Sequence, residues 1–440
     1  MKTPIHDFVN KYSRFGGVRA HMPGHKGVGE PERIDITEIS GADSLYEASG
    51  IIAESEKNAG EIFGAYTFYS TEGSSLSIKA MLYLTCLYAV QKGDNPVVLA
   101  ARNVHKSFVN AAALLNFEIH WIQGESSSYL ECKITPERLE EMLAGCDRLP
   151  TALYLTSPDY LGNIQDIEAL SAVCKKHGVL LLVDNAHGAY LKFTTPSRHP
   201  IDLGADMVCD SAHKTLPVLT GGAYLHVSKN APALFKERAK EALALFGSTS
   251  PSYLILASLD KANDDIADFD SFFKKTAALR ETISALGYSV LGDEPAKITV
   301  KAKDYGYLGR ELGELLEKAG IICEFADSDF LVLMLSPKNS DSDFNKISEA
   351  FASIPKRKSI GILPPAMSIP PVAMSPREAM LSPSEELPTE DCIGKIFASS
   401  ALGCPPAVPI LVSGEVVTDE ATLAFKYYEI TKIRVTKPTK

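Results

Sequence analysis

The clearest pattern in this chain is an alternation of short apolar runs with longer stretches of helical periodicity, from about residue 56 to residue 230. Continuous apolar runs are typical of strands that are buried on both faces. They predict strands at 96–100, 118–122, 152–155, 179–183, 207–209 and 223–225. The stretches between them predict helices at 76–91, 105–115, 135–143 and 167–177. Strands that alternate with helices predict an α/β fold with a mostly parallel, helix-covered sheet.

Changes in this pattern divide the chain into four predicted parts. Residues 1–55 are rich in Gly, Pro and His and predict an irregular N-terminal arm. Residues 56–286 form the large domain, which ends in a helical stretch from 231. Residues 287–354 follow a strand, helix, strand, helix order, as in a small α/β domain. A basic and then Pro-rich linker at 356–371 opens the last part, a C-terminal domain over 355–440.

Composition fits a globular protein of two or three domains, with 440 residues, 45% of them hydrophobic and 22% charged. The net charge of −11 argues against a nucleic-acid surface and is only weakly indicative of a cationic substrate, because most acidic soluble proteins simply have a solvated acidic surface. None of the eight cysteines forms a C-x-x-C pair, so we expect reduced thiols and no metal site. The sequence shows no signal peptide or membrane-length apolar run, and we expect a cytoplasmic protein.

Polar motifs stand where predicted strands end or helices begin, and open α/β sheets bind ligands at such positions. Ser74 and Ser75 open a helix within Ser-Thr-Glu-Gly-Ser-Ser, which suits an anion such as phosphate but also plain helix capping. Asp184 ends a buried strand. Its carboxylate could act as a metal ligand, as a general base or as the partner of a ligand cation such as the pyridinium of pyridoxal 5′-phosphate (PLP). Ala186 is small enough to lie against a ring, and His105 at another strand end suits stacking or helix capping.

The most informative motif is Asp-Ser-Ala-His-Lys, which ends at Lys214 and follows another strand. A lysine buried at a strand end would have a lowered pKa and supply the neutral amine that forms imines. Ser211 and His213 stand directly before it and suit phosphate binding or orientation of the lysine. We therefore predict a PLP enzyme with Lys214 as the imine-forming residue and Asp184 beside the pyridine nitrogen.

Together these motifs resemble the Orn/Lys/Arg decarboxylase family of fold-type-I PLP enzymes, and in particular its short bacterial members. The resemblance spans almost the whole chain, and its most specific elements are His-Met-Pro-Gly-His-Lys and Ser-x-His-Lys. The matching segments are 21–27, 73–75, 102–107, 156–158, 184–187, 211–214, 248–253 and 404–409. One departure is Pro-Pro-Ala-Val-Pro at 405–409, where the family usually has Pro-Pro-Gly-Ile-Pro.

The resemblance implies a role for each matching position. Lys214 would carry the cofactor as an imine, Asp184 would pair with its ring nitrogen and His105 would stack on its ring. Four residues would bind the phosphate or orient the lysine, namely Ser74, Ser75, Ser211 and His213. Members of the family form homodimers or assemblies of dimers, so Ser248 and Thr249 would reach the phosphate of the neighbouring subunit.

The reaction is not decided by the fold, because fold-type-I enzymes include aminotransferases and other lyases. The apolar run 330–337 contains no arginine that would hold a substrate carboxylate, and this favours decarboxylation over transamination. A catalytically inactive homologue that acts as a regulator is the alternative of a different class. The resemblance implies a basic substrate, with arginine first and lysine or ornithine next, and an amine product that feeds polyamine synthesis. Asp43, Glu47 and Glu415 are candidate partners for the distal cation of that substrate.

Overall fold

The computed structural model describes residues 1–124, 128–265, 268–400, 402–404 and 408–437. The motif residues 405–407 therefore lie outside the described residues. The helices are α1 (Pro4–Ser13), α2 (Ile51–Phe63), α3 (Ser74–Gln91), α4 (Lys106–Leu115), α5 (Pro136–Ala144), α6 (Ile167–His177), α7 (Ala212–Thr215), α8 (Ala233–Ala244), α9 (Tyr253–Ala262), α10 (Phe269–Ala285), α11 (Gly309–Lys318), α12 (Asp341–Ser353), α13 (Pro376–Leu381) and α14 (Asp419–Tyr427).

The strands confirm the predicted alternation and add β1, which the sequence pattern did not predict. They are β1 (Tyr66–Ser70), β2 (Val97–Ala101), β3 (Glu118–Ile122), β4 (Ala152–Thr156), β5 (Leu180–Asp184), β6 (Met207–Asp210), β7 (Ala223–Val227), β8 (Val290–Leu291), β9 (Lys297–Lys301), β10 (Phe325–Ala326), β11 (Phe330–Met334), β12 (Ser384–Pro388), β13 (Leu402–Cys404), β14 (Val408–Leu411) and β15 (Lys432–Thr436). The α/β class is thereby confirmed.

The chain forms two compact units, each built from segments that are separated in sequence. Unit 1 comprises Met1–Pro96, Thr151–Tyr154 and Ile167–Ala267. Unit 2 comprises Val97–Pro150, Leu155–Asp166 and Asp268–Lys440. The four-part division at 55, 286 and 354 stays a prediction about domains.

The strands β5 and β6 of unit 1 are parallel neighbours, with Asp184 opposite Cys209. On the other side of β6 lies β7, which is antiparallel both to β6 and to the edge strand β1. All residues of β5 and β6 are buried. The carboxyl ends of these two strands, Asp184 and Asp210, are therefore adjacent, and each leads into a motif that the sequence marks for chemistry.

The expectation of an irregular N-terminal arm is wrong for Pro4–Ser13, which form helix α1. Ile5 and Val9 lie one turn apart on it and are fully buried. The carboxylate of Asp260 accepts the backbone N–H groups of Ile5 and His6 at 2.9 Å each. This cap comes from 255 residues away in sequence, so the local pattern does not reveal it.

Unit 2 contains the parallel pair β2–β3 and an antiparallel sheet in the order β10-β11-β9-β8. Its C-terminal part has two small antiparallel sheets, β12–β15 and β13–β14, packed with α14 around a core that includes Phe397, Ile410 and Phe425. The predicted linker 356–371 has no helix or strand, as expected. The seven cysteines whose side chains are described are free thiols, as predicted. Across the described residues, no helix has the length and apolar character needed to cross a membrane.

Candidate active site

Lys214 lies on the one-turn helix α7, which follows β6 after Ser211. Its Nζ is 2.7 Å from Nε2 of His187. The side chain is partly exposed, not buried in a loop as the sequence suggested. The short helix turns the lysine back toward the end of β5, where His187 lies three residues after Asp184. The imidazole therefore lies within hydrogen-bonding distance of the amine and fixes its position at the strand end.

His187 is a residue of the site to which the sequence analysis assigned no role. The sequence does contain an indication of its role, because His187 is the last residue of the Asp-Asn-Ala-His motif that begins at Asp184. A tight turn after the strand, with the Gly188 N–H bonded to the Asn185 carbonyl at 2.8 Å, brings the imidazole back beside the strand end. The imidazole itself is buried, so its hydrogen-bonding position is fixed by packing.

Asp184 is 2% exposed and receives hydrogen bonds on both carboxylate oxygens. The Tyr154 hydroxyl donates to Oδ2 at 3.2 Å. The backbone N–H of Ala186 and the thiol of Cys209 lie 3.2 and 3.5 Å from Oδ1. Burial, reinforced by the charge of Asp184, raises the pKa of both Tyr154 and Cys209 well above the usual range. Both groups therefore keep their protons and act as donors, which holds the Asp184 carboxyl group in one orientation.

The N-terminus of α3 provides a cradle for an anion. Gly73 precedes the helix with φ of +71°, a conformation that favours glycine, and a Cβ there would meet no atom closer than 4.0 Å. Ser74 begins the helix, and its hydroxyl accepts a hydrogen bond from the Ser211 hydroxyl at 2.7 Å. The N-terminus of this 18-residue helix thus lies beside the hydroxyls of Ser74 and Ser211, with Ser75 as its second residue.

The remaining predicted residues occupy distinct positions. His213 Nδ1 lies 2.9 Å from the Gly222 carbonyl, so this imidazole ties α7 to the start of β7. His105, in unit 2, caps α4 through a hydrogen bond from the Ser107 N–H at 3.2 Å, and its role in stacking stays a prediction. Ser248 and Thr249 are exposed in unit 1, in a loop anchored by the Ser248 N–H on the Glu72 carboxylate at 2.6 Å.

The residues of unit 1 fit the chemistry of PLP. The cofactor carries a phosphate, a pyridine nitrogen and an aldehyde. These groups require, in the same order, an anion-binding site, a carboxylate and an amine. The α3 cradle, Asp184 and Lys214 supply these three groups at the ends of β1, β5 and β6 respectively. Ala186 lies two residues after the end of β5 and is partly exposed, as a residue that lies against a ring must be.

Two of the three candidate partners for the substrate cation have structural roles. Asp43 accepts backbone N–H groups from Ser44, Ser49, Gly50 and Ile52 at 2.8–3.0 Å, which fixes the loop before α2. In unit 2, Glu415 is 1% exposed, pairs with Arg102 at 2.8 Å and accepts the Val412 N–H at 2.7 Å. Glu47 is exposed.

An α/β protein with a lysine, a buried aspartate and a phosphate-type helix N-terminus after three strands of one sheet has the architecture of a fold-type-I PLP enzyme. The chain belongs to the Orn/Lys/Arg decarboxylase family. The model of the family's major domain matches residues 3–277, and the model of its C-terminal domain matches residues 365–436. The predicted family and enzyme class, a carboxy-lyase for basic amino acids, are thereby confirmed.

Similar proteins agree with this assignment. The chain is 29% identical to an arginine decarboxylase of Bacillus subtilis, over 95% of this chain and 92% of that protein. It is also 29% identical to an arginine decarboxylase of Halalkalibacterium halodurans, over 96% of this chain and 92% of that protein. Its fold matches lysine decarboxylase A of Pseudomonas aeruginosa with a TM-score of 0.81, 17% identity, and coverage of 99% of this chain and 80% of that one. This likeness confirms the predicted fold.

Proposed function

We propose that this chain binds PLP through Lys214 and decarboxylates arginine in preference to lysine or ornithine. The observation that carries the proposal is the contact of Lys214 Nζ with His187 Nε2 at 2.7 Å, next to the buried, doubly hydrogen-bonded Asp184. Arginine stands first because the full-length relatives in Bacillus subtilis and Halalkalibacterium halodurans are arginine decarboxylases. The amine product would feed polyamine synthesis, and the enzyme would act in the cytoplasm.

Each residue has a defined task in this proposal. PLP, when bound, supplies an electron sink for the bond that breaks at the substrate's α-carbon. Asp184 would pair with the ring nitrogen, and the hydrogen bonds from Tyr154 and Cys209 orient its carboxylate for that contact. His187 is within hydrogen-bonding distance of the Lys214 amine and holds it at the end of β5, beside Asp184. The α3 cradle holds the phosphate, with Ser211 joining the cradle to the lysine loop.

The direct experiment is to incubate the purified protein with PLP and each of arginine, lysine and ornithine, and to identify the products. We expect carbon dioxide and the corresponding amine, most rapidly from arginine. Release of a keto acid would indicate an aminotransferase, and the absence of any product with bound cofactor would indicate an inactive homologue. Citrulline is the matched control, because it has nearly the shape of arginine without its charge. We expect kcat/KM for citrulline to be lower by about a hundredfold or more, since citrulline lacks the distal charge that the site of a basic amino-acid decarboxylase would recognise.

Borohydride reduction followed by peptide mapping tests the lysine. We expect the label on Lys214, and the Lys214→Ala variant should show neither label nor activity. A label on a different lysine in the wild-type protein would reject the assignment.

A further inference from the structure

A fully buried cluster of titratable groups lies directly behind the proposed site in unit 1 and has no part in the reaction as described. It consists of Asp210, the last residue of β6, and the imidazoles of His199 and His226, each 0% exposed. His199 Nε2 lies 3.0 Å and His226 Nε2 3.1 Å from the same oxygen, Oδ2 of Asp210. The other oxygen, Oδ1, accepts the side-chain amide of Asn185 at 2.7 Å.

This set of donor atoms resembles a three-ligand metal site, but its outer hydrogen bonds favour protonated Nε2 atoms. The backbone N–H of Ile201 points to His199 Nδ1 at 3.3 Å and can only donate, so Nδ1 is an acceptor there. A neutral imidazole with an accepting Nδ1 carries its proton on Nε2 and has no lone pair there for a metal. The Thr67 hydroxyl, 2.9 Å from His226 Nδ1, allows the same tautomer. Burial also lowers the pKa of His226, which favours its neutral form.

The cluster therefore holds a buried carboxylate that accepts hydrogen bonds from both imidazoles and from the Asn185 amide. Burial alone would raise the pKa of Asp210, but His199 and His226 outweigh it and hold the pKa below its ordinary value. A buried carboxylate is costly, and apolar side chains of the same volume often replace such groups without loss of stability. Stability is therefore a poor explanation for Asp210, and its hydrogen bond to Asn185 is a better one.

That hydrogen bond joins two loops of the site. Asn185 directly follows Asp184 and stands two residues before His187, while Asp210 stands four residues before Lys214. A backbone hydrogen bond from Asn185 N–H to the Cys209 carbonyl at 2.9 Å runs beside it. The amide–carboxylate bond thus fixes the relative position of the strand ends that carry the carboxylate and the amine.

We propose that Asp210, held by His199 and His226, is a positioning residue that acts through Asn185 to set Lys214 against His187 and Asp184. The inference rests on the proposed function and assigns a role to groups that touch neither cofactor nor substrate. Loss of the Asn185–Asp210 bond should lower cofactor affinity and kcat, and leave KM nearly unchanged.

The polarity of the bond offers a sharp test. Asn185→Asp alone places two carboxylates together, and Asp210→Asn alone places two amide N–H donors together. The double variant Asn185→Asp/Asp210→Asn restores one donor and one acceptor, and the amide oxygen at position 210 still accepts both imidazole N–H groups. We expect each single variant to lose about tenfold or more in PLP affinity and in kcat, and the double variant to return to within about threefold of wild type.

Asp206→Asn is the matched control, because Asp206 accepts the Leu181 N–H at 2.8 Å at the opposite end of β5. It should leave PLP affinity and kcat unchanged. Thr67→Val is the mild variant, since it removes the outer hydrogen bond of His226 without changing any charge. It should lower PLP affinity severalfold even if the single variants at 185 and 210 do not fold.

Unchanged PLP affinity in Thr67→Val, or a double variant no better than the single ones, would overturn the inference. A wild-type protein that binds PLP but decarboxylates no basic amino acid would reject the proposed function instead. PLP affinity, measured by titration of the cofactor-free protein, would still test the positioning role in that case.

Discussion

Asp184 and Asp210 end neighbouring strands and are almost equally buried, yet different donors surround them. The Asp184 carboxylate accepts hydrogen bonds from a phenol, a thiol and one backbone N–H. The Asp210 carboxylate accepts hydrogen bonds from two imidazoles and a side-chain amide. At the scale of single residues, the donors decide the role of a buried carboxylate, and most of these donors come from distant segments of the chain.

Asp184→Ala should retain measurable PLP binding and lose most of its turnover. Without the carboxylate the ring nitrogen loses its proton, and the electron sink weakens. We expect kcat to fall by about a hundredfold or more, whereas Tyr154→Phe, which keeps the carboxylate and removes one donor, should cause a smaller loss. Steady-state kinetics at saturating PLP measures both effects. Near-normal turnover of Asp184→Ala would show that this residue is structural.

Asp327 in unit 2 predicts a pH dependence of stability. Burial raises its pKa to about 6, although its Oδ1 accepts the N–H groups of Asp329 and Phe330 at 2.7 and 2.6 Å. Because the pKa of Asp327 is raised in the folded state, its protonated form contributes stability that is fully present below about pH 4. This contribution is lost as the pH rises toward 6. Asp327→Asn keeps the accepting oxygen and removes the charge.

We therefore expect Asp327→Asn to stabilise the protein at pH 7 by about 1–3 kcal/mol and to have little effect near pH 4. Thermal unfolding of both proteins from pH 4 to 7 gives the difference directly. A difference that stays constant over this range would contradict the assignment.

At the scale of elements, helix α1 shows how a tertiary contact creates structure that its own sequence does not specify. Its apolar pair Ile5 and Val9 is too small to stabilise an isolated ten-residue helix in water. The Asp260 carboxylate supplies an N-terminal cap from helix α9, and the apolar pair is buried in unit 1.

Asp260→Ala should release α1 from unit 1, because two backbone N–H groups lose their acceptor. A lost cap costs about 1–2 kcal/mol, and burial of the freed donors adds to it. Limited proteolysis should then cleave within the first fifteen residues faster than in wild type. Asp264→Ala is the control, since Asp264 is 55% exposed and pairs only with the N-terminal amine among the described residues. Equal cleavage of the two variants would refute the capping role.

At the scale of the whole molecule, the exposed loop with Ser248 and Thr249 belongs to a protein that we propose to be a homodimer. The family resemblance implies that this loop serves the phosphate of the neighbouring subunit. If that is correct, each active site combines Lys214 of one chain with Thr249 of the other.

Mixing two inactive variants tests this arrangement. Lys214→Ala and Thr249→Ala should each be nearly inactive alone, but their mixed dimers contain one site with both residues intact. After subunit exchange we expect activity to rise to about a quarter of wild type, because half of the dimers are mixed and half of their sites are complete. Activity that does not rise, in a dimer shown by sedimentation to have exchanged, would place Thr249 in its own subunit's site. An active monomer would reject the dimer.

The sequence by itself determined the α/β class, the order of most strands and helices, and the positions of Lys214, Asp184 and the α3 cradle. These features are local, since buried strands show continuous apolar runs and the chemical motifs stand directly at strand ends. The tertiary structure alone decided which groups act together. His187 faces Lys214, Tyr154 orients Asp184, and two histidines hold Asp210, because strands far apart in sequence bring their ends to one edge of a sheet. Likewise, Asp43 and Glu415 look equally suited to bind a cation in the sequence, and only their hydrogen bonds show that each already has structural partners.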